Sequence, residues 1–261
     1  MRRILVLIVL VLIFAVLLLV SRSVAGWQHY IIAGDAGTLL YTASFDGGSS
    51  DGFNGDWAQY PGRLSAQIAD GQMQITIGEI DGSAYSYSAP HFGDFDVTVA
   101  AQAIAGPEEN GYGLVFRLQN KDNNFVEDDS YYVFLISGDG YYRVVRAIDG
   151  KLKILSDWID STLVHQGLNA LNRLRVIAQG DQFHFYINDE AVQLCIPDDP
   201  NGVSTYSNET CVKGTMVDTL TDDTISNGQI GVTAQWWADS NAQPGVATFD
   251  NLLIYAPSPA S

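Results

Sequence analysis

Short turn signals punctuate this chain at close intervals: Asp70-Gly71, Asp81-Gly82, Gly138-Asp139-Gly140, Asp149-Gly150, Gly180-Asp181 and Asn188-Asp189. Gly, Asn and Asp tolerate the backbone conformations that reverse a chain within two or three residues. The runs between them are short and rich in Val, Ile, Tyr, Phe and Thr, which is a strand signature. They predict strands at 38–41, 72–77, 84–88, 95–103, 113–118, 131–137, 141–147, 152–155, 173–178, 183–188, 229–235 and 246–255. Successive strand side chains point to opposite faces. Val97 and Val99 therefore share a face, Leu174 and Val176 face away from Arg175, and Phe183, Phe185 and Ile187 alternate with His184, Tyr186 and Asn188. No soluble amphipathic helix is on offer to cover such a sheet, so two sheets must cover each other. The expected class is an all-β two-sheet sandwich.

Composition agrees. Of 30 acidic residues, 24 are Asp and only six are Glu, the balance of a chain with many turns and few helices. The formal charge of −17 repels nucleic-acid phosphates and anionic lipid, which excludes nucleic acid as a partner and suits neutral polymers or divalent cations.

Arg2-Arg3 precede an apolar run from Ile4 to Val20, followed by small residues at Ser23 and Ala25. This is the layout of a secretory signal with cleavage after Ala25. As a helix, the run would reach about 25 Å, near the lower limit for crossing a bilayer, so an uncleaved anchor is the rival. The expected organisation is a signal peptide or signal anchor at 1–25, one sandwich domain at 26–256 and a disordered Pro/Ser tail at 257–261. The protein is then exported, extracellular or at the cell surface, and meets the membrane only through its N-terminal segment. Cys195 and Cys211 flank a loop rich in Asp, Asn, Pro and Ser, with no His spaced to share a metal with them. In an oxidising compartment they are expected to pair.

The series Gly111 to Arg117, Tyr131 to Ile136 and Tyr141 to Arg143 places aromatic and arginine side chains on both alternation sets. One set is expected to build core and the other to present rings and guanidinium groups.

An ordered set of motifs then appears: Phe45-Asp46, Trp57, Gly71 to Ile75, Phe92-Gly93-Asp94-Phe95, Gly113 to Arg117, Tyr132 to Ser137, Asn172 to Val176, Asn227 to Val232 and Phe249-Asp250-Asn251. Together they resemble the concanavalin A-like lectin/glucanase superfamily, and are similar in particular to exported bacterial domains of the laminin-G-like and keto-disaccharide-hydrolase-like type. The resemblance spans residues 38 to 255. It implies a jelly roll of two curved antiparallel sheets, one face of which can hold a glycan.

Glycosidases need two carboxyl groups about 5–10 Å apart. Glu127, Asp128 and Asp129 come nearest, but Tyr131 stands where a third acid would be expected, and the cluster reads as a solvated turn. Gly48-Ser49-Ser50-Asp51-Gly52 has the letters of a nucleophile elbow without the helix that must follow it. His29, His91, His165 and His184 lack zinc spacing. Asp46 and Asp250 would be brought together by antiparallel closure and could bind a structural calcium, although Asp250 serves as readily in an Asx turn. No other cofactor is called for. Sugar rings stack on aromatic faces while arginines take their hydroxyls, which makes Arg117, Tyr131, Tyr142, Trp236 and Trp237 the candidate binding residues. The expectation is a non-catalytic glycan-binding domain acting on extracellular polysaccharide. Its rivals are an atypical glycoside hydrolase using Glu127 or Asp128, and a structural or adhesive module whose partner is protein.

Overall fold

A computed structural model describes residues 31–46, 57–78, 82–120, 128–235 and 243–258, together with Ile13. The apolar N-terminal segment expected to be helical lies outside the described residues apart from Ile13. Among the described residues no helix is long and apolar enough to cross a membrane.

In chain order the first strands are β1 (Ile31–Ile32), β2 (Leu39–Ala43), β3 (Leu64–Ala69), β4 (Gln72–Ile77), β5 (Ser83–Phe92), β6 (Phe95–Ala105) and β7 (Gly111–Gln119). Next come β8 (Ser130–Ser137), β9 (Tyr141–Ile148), β10 (Lys151–Asp160), β11 (Asn172–Gln179), β12 (Gln182–Ile187) and β13 (Glu190–Ala191). The last are β14 (Leu194–Pro197), β15 (Thr205–Ser207), β16 (Thr210–Val212), β17 (Gly214–Val217), β18 (Leu220–Thr221), β19 (Gly228–Gln235) and β20 (Gly245–Tyr255).

Two sheets hold most of these. A seven-stranded sheet runs β1-β5-β19-β7-β8-β9-β10; a nine-stranded sheet runs β13-β12-β11-β6-β20-β4-β3, with β18 beside β12 and β2 beside β20. Every pairing is antiparallel except β1 with β5. The turns that the sequence marks at 70–71, 138–140, 149–150, 180–181 and 188–189 are where the strands reverse, while Asp81 lies outside the described residues. Asp70 and Gly71, like Asp149 and Gly150, both take positive φ, the backbone that a two-residue hairpin needs and that glycine supplies without steric cost.

The inner faces meet in one continuous apolar core. Phe95, Val97, Val99, Leu174, Val176, Phe183 and Phe185 from the nine-stranded sheet pack against Leu114, Phe116, Tyr132, Phe134 and Val144 from the seven-stranded one. Phe116 stacks on Tyr132 at 5.5 Å between ring centres, and Phe134 tilts against Phe185 at 5.1 Å. Each such side chain, fully removed from water, stabilises the fold by about 1.5–3 kcal/mol. The alternation read from the sequence on β6, β11 and β12 is the one observed, with Thr98, Arg175, His184 and Tyr186 on the outer face.

Cys195 and Cys211 are bonded, as expected, with their Cα atoms 5.5 Å apart. The bridge ties an excursion between β13 and β18, made of the two ribbons β14-β17 and β15-β16. Ser204 anchors it from within by donating its hydroxyl to the Cys195 carbonyl at 2.6 Å.

Candidate functional site

The seven-stranded sheet departs from the expected pattern of one core face and one presenting face. β7 is buried at all but its last residue and β8 along its whole length. The register aligns Gly231, Val115, Val133 and Val145 in one outer row, with Thr233, Gly113, Leu135 and Arg143 in the next. Val115, Val133, Leu135 and Ala147 form the floor of a second apolar cluster that is separate from the core. At Gly113 and Gly231 a Cβ would stand 2.1 Å from the Phe134 and Ser86 carbonyl oxygens, so the strands approach too closely there for any side chain.

Tyrosines and one carboxylate close one end of this outer face. Tyr85 and Tyr87 alternate onto it from β5, their rings 5.9 Å apart, and Tyr131 lies 6.0 Å from Tyr85. Asp129, fully buried, accepts a hydrogen bond from the Tyr85 hydroxyl. Asn120 donates to the Tyr87 hydroxyl at 3.0 Å. Burial, reinforced by the negative charge of Asp129, pushes the Tyr131 phenol up to about 12 and raises Tyr87 as well.

Arginine and indole close the other end. Arg143 donates to Gln235 Oε1 at 2.9 Å, and its guanidinium lies 4.7 Å over the Trp158 ring. Burial lowers Arg143 to about 10 against the opposing pull of Asp157. Bulges in the β9-β10 register leave Ile159 in the core and turn Trp158 outward. The indole reaches across the face: a Cβ on Gly111 of β7 would stand 3.3 Å from its Cη2. Beside it opens a cleft of about 200 Å³ lined by Glu109, Ser137, Asp139, Tyr141 and Trp158. Ser137 holds this corner by donating to Asp139 Oδ1 at 2.5 Å and accepting from the Tyr141 backbone N–H at 3.3 Å. Tyr141 is 38% exposed. Two rings and two carboxylates thus face solvent at the rim of an apolar sheet.

The structure separates the residues the sequence singled out. Arg117 belongs by alternation to the outer set, but β7 bulges between Phe116 and Gln119 and Arg117 takes φ of 49°. The bulge swings its side chain inward, where it donates to the carbonyls of Ile225 at 2.7 Å and Gly180 at 2.6 Å and lies 4.7 Å over Phe183. At 1% exposure it pins the end of the sandwich and cannot present itself to a ligand. Tyr142 likewise lies in the core, donating its hydroxyl to the Gln193 carbonyl at 2.6 Å; its exposed neighbour Tyr141 is the ring that faces outward. Tyr131 is on the outer face. Trp236, Trp237 and Glu127 fall outside the described residues. Asp129 corrects the solvated-turn expectation, because it is buried beneath a tyrosine hydroxyl.

Antiparallel closure does bring the Asp46 and Asp250 segments together, since Ala43 pairs with Leu252. Asp250 accepts from the backbone N–H of its neighbour Asn251 at 2.6 Å, a local bond one residue shorter in reach than the expected Asx turn. Among the described residues no group of three or more His, Cys, Asp or Glu side chains is placed to hold a metal. Sequence reading passed over Tyr85, Tyr87, Tyr141 and Trp158; the Tyr-x-Tyr alternation at 85–87 was the available signal for the first two.

Two curled sheets with this strand order and an apolar, ring-edged outer face define a concanavalin A-like lectin/glucanase sandwich. The model of the 3-keto-alpha-glucoside-1,2-lyase-like domain matches residues 40–251, and the chain belongs to that family. No curated protein matches it. Among solved structures it is similar to carbohydrate binding module CBM66 from Bacillus subtilis, with 17% identity, a TM-score of 0.51 and coverage of 77% of this chain and 95% of that one. A protein of unknown function with a galectin-like fold, also from Bacillus subtilis, has 15% identity, a TM-score of 0.55 and coverage of 85% and 97%. The Bacillus licheniformis beta-glucanase has 10% identity, a TM-score of 0.51 and coverage of 85% and 99%. At these identities the likeness is one of fold.

Proposed function

We propose that this chain is an exported, non-catalytic carbohydrate-binding domain that takes a neutral glycan at the Trp158 end of the seven-stranded sheet. The observation that carries the reading is the exposed Tyr141 ring beside Trp158 in a cleft that also holds Glu109 and Asp139. Ring faces take the C–H side of a pyranose, and carboxylates accept from its hydroxyls. That one of the similar folds is a carbohydrate binding module supports the same reading. A glycan array with the wild type and Trp158→Ala tests it. The wild type is expected to bind a neutral glycan, and the variant to lose at least tenfold in affinity. Absence of binding by either protein would leave the structural or adhesive reading standing.

Export and tethering through residues 4–20 fit the same picture. Gly37 donates to the Ala256 carbonyl at 2.9 Å, so β1, β2 and the C-terminal residues gather at one end of the sandwich. The Ser137–Tyr141 turn lies at the opposite end, because β8 starts beside Gln119 and finishes beside Gly111. An anchor at residues 4–20 would therefore hold the cleft away from the membrane. Calcium at Asp46 and Asp250 is a separate question that calorimetry with and without a chelator answers: an ion bound to the folded chain raises the melting temperature, and a chelator would then lower it.

A second reading, an enzyme, is favoured by Asp129. A carboxylate bonded to the Tyr85 hydroxyl, on the same face as Trp158, is an acid–base pair of the kind that proton abstraction beside a keto group needs. With Asp129 at 0% and Tyr85 at 2% exposure, this reading requires that end of the face to open for a substrate. Loss of a 3-keto-alpha-glucoside incubated with the protein, abolished in Asp129→Asn, would establish this reading over the first.

A further inference from the structure

We infer a second ligand site on the opposite side of the molecule, in a cavity on the outer face of the nine-stranded sheet whose chemistry suits the carboxylate-bearing ring of an acidic sugar. It stands independently of the Trp158 cleft. The cavity has a volume of about 370 Å³, larger than that cleft. This is within the range that holds a small ligand, on the order of 300–1,000 Å³.

Local structure opens it. The β20-β6 register slips between Asp250 and Leu253, where Asn251 takes φ of 52°, and the bulge lifts β20 away from its neighbour. Ala100, small and opposite Arg173, leaves space in the adjoining row. The far wall is the segment that follows β10, and it is locked in place. Asn172, fully buried, accepts from the His165 backbone N–H at 2.8 Å and donates to the His165 carbonyl at 2.9 Å. Asn188 donates to the Leu163 carbonyl at 2.8 Å and to Asn172 Oδ1 at 2.9 Å. A wall held by this many directed bonds is formed before any ligand arrives.

Three groups are left with capacity to bind. Thr98 lines the cavity at 7% exposure, and its hydroxyl has no hydrogen-bond partner among the described residues. That hydroxyl is open to the cavity, where a ligand hydroxyl can bond it in place of water. His165 Nδ1 lies 2.8 Å from the Leu171 carbonyl oxygen. A carbonyl can only accept, so Nδ1 carries the proton and Nε2 of the neutral ring is left as an acceptor. Arg173 is 54% exposed, and its bridge to the 66% exposed Asp189 spans 3.1 Å. A pair this exposed contributes little and exchanges readily, so the guanidinium fork can turn to a ligand carboxylate.

Charge selects the class. The chain has 30 acidic residues against 13 basic ones, yet no Asp or Glu lines this cavity, whereas Arg173 does. The Trp158 cleft has the reverse character: two carboxylates line it and no cation does, Arg143 being stacked on the Trp158 ring. Leu171 and Leu253 supply apolar sides for ring C–H groups. In the bound state the carboxylate pairs with Arg173, hydroxyls meet Thr98 and His165 Nε2, and the ring rests between the leucines.

Titrating the full-length ¹⁵N-labelled chain with sodium glucuronate, and separately with glucose at equal ionic strength, tests this. Glucuronate is expected to shift the amides of Thr98, Ala100 and Leu253, and glucose to act at least tenfold more weakly. Arg173→Gln should lower glucuronate affinity at least tenfold and erase the preference. The near-isosteric Thr98→Val should weaken both sugars a few-fold. Trp158→Ala should leave these shifts in place, which separates failure of this site from failure of the other. Absent shifts, equal responses to the two sugars, a preference that survives Arg173→Gln, or shifts lost in Trp158→Ala would each overturn the proposal.

Discussion

The two sheets share a core but treat their outer faces differently. On β4, β11 and β12 buried and partly exposed residues alternate, and the outer row carries Gln, Thr, Arg, His and Tyr. On β7 and β8 no such alternation exists, and the outer row is Val115, Val133 and Leu135, each at most 1% exposed. The first sheet is a lid: one face seals the core and the other meets water, the usual economy of antiparallel sheets. The second has two apolar faces, the arrangement expected of a sheet that must offer a dry floor as well as close a core. Its rings, carboxylates and arginine sit around that floor at its ends. The difference teaches that a sandwich can be symmetric in strand pairing and asymmetric in chemistry, and that its function is sought first on the face that breaks alternation.

The comparison breaks most directly at Leu135. If the outer face of β8 is packed like core, Leu135→Ala should cost about 3 kcal/mol, within the usual range for burying no replacement atoms. Gln74→Ala, on the outer face of β4, should stay within about 0.5 kcal/mol. Urea denaturation measures both, and a loss below about 1 kcal/mol at Leu135 would mean that its outer face is not packed. Alkaline titration sharpens the point. Tyr112 faces inward and Tyr131 outward on the same sheet, and burial raises each to about 12. The unfolded chain loses these protons near pH 10 while the folded one keeps them, so their stabilisation is complete below about pH 10 and is lost as pH rises through about 12. Ultraviolet titration should find both phenols ionising late; a Tyr131→Phe variant that leaves the alkaline unfolding midpoint unmoved would contradict the outer half of the comparison.

Asp222 gives the acid-side counterpart at the end of the core. Burial alone would raise its carboxyl, but hydrogen bonds from Thr224 and Tyr132 and the charge of Arg146 outweigh it and hold it below the usual carboxylate range. Its contribution is present above the unfolded carboxylate value and is lost as pH falls through the lower folded one. Asp222→Asn should therefore flatten the acid limb of a stability curve, and because Asp222 adds to the burial that raises the Tyr132 phenol, it should also lessen the loss of stability on the alkaline limb.

Much of the fold was legible because its signals are local. Asp70-Gly71 and Asp149-Gly150 specify hairpins by backbone conformation alone, and Val97 to Val99 or Phe183 to Ile187 announce their inner faces by alternation. β3 escaped notice because Leu64 to Ala69 is rich in small and neutral residues; its pairing with β4 across the Asp70-Gly71 turn makes it a strand. The candidate site was less legible, for reasons that are not local. Arg117 has the alternation of an outer residue and is reversed by a bulge. Asp129 looks like part of a solvated acidic turn until Tyr85, far away in sequence, is folded over it. Tyr141 and Tyr142 are equivalent as letters, and only the register of β9 against β8 decides which ring is core.

The smallest effect tests the lid. Arg175 grips Asp96 with two hydrogen bonds, 2.7 Å from Nε and 2.6 Å from Nη2, and lies over Tyr186 at 5.1 Å. The geometry is that of a strong bidentate pair, and it raises the guanidinium above its ordinary value. Exposure argues the other way: the two side chains are 35% and 16% exposed, so water screens the pair and competes for its bonds. Asp96→Asn keeps the shape and removes the charge, and should cost about 0.5–1 kcal/mol, falling as salt is added. A loss of about 3 kcal/mol, insensitive to salt, would place this pair in a desolvated environment. The outer face of the nine-stranded sheet would then be as closed as that of its partner.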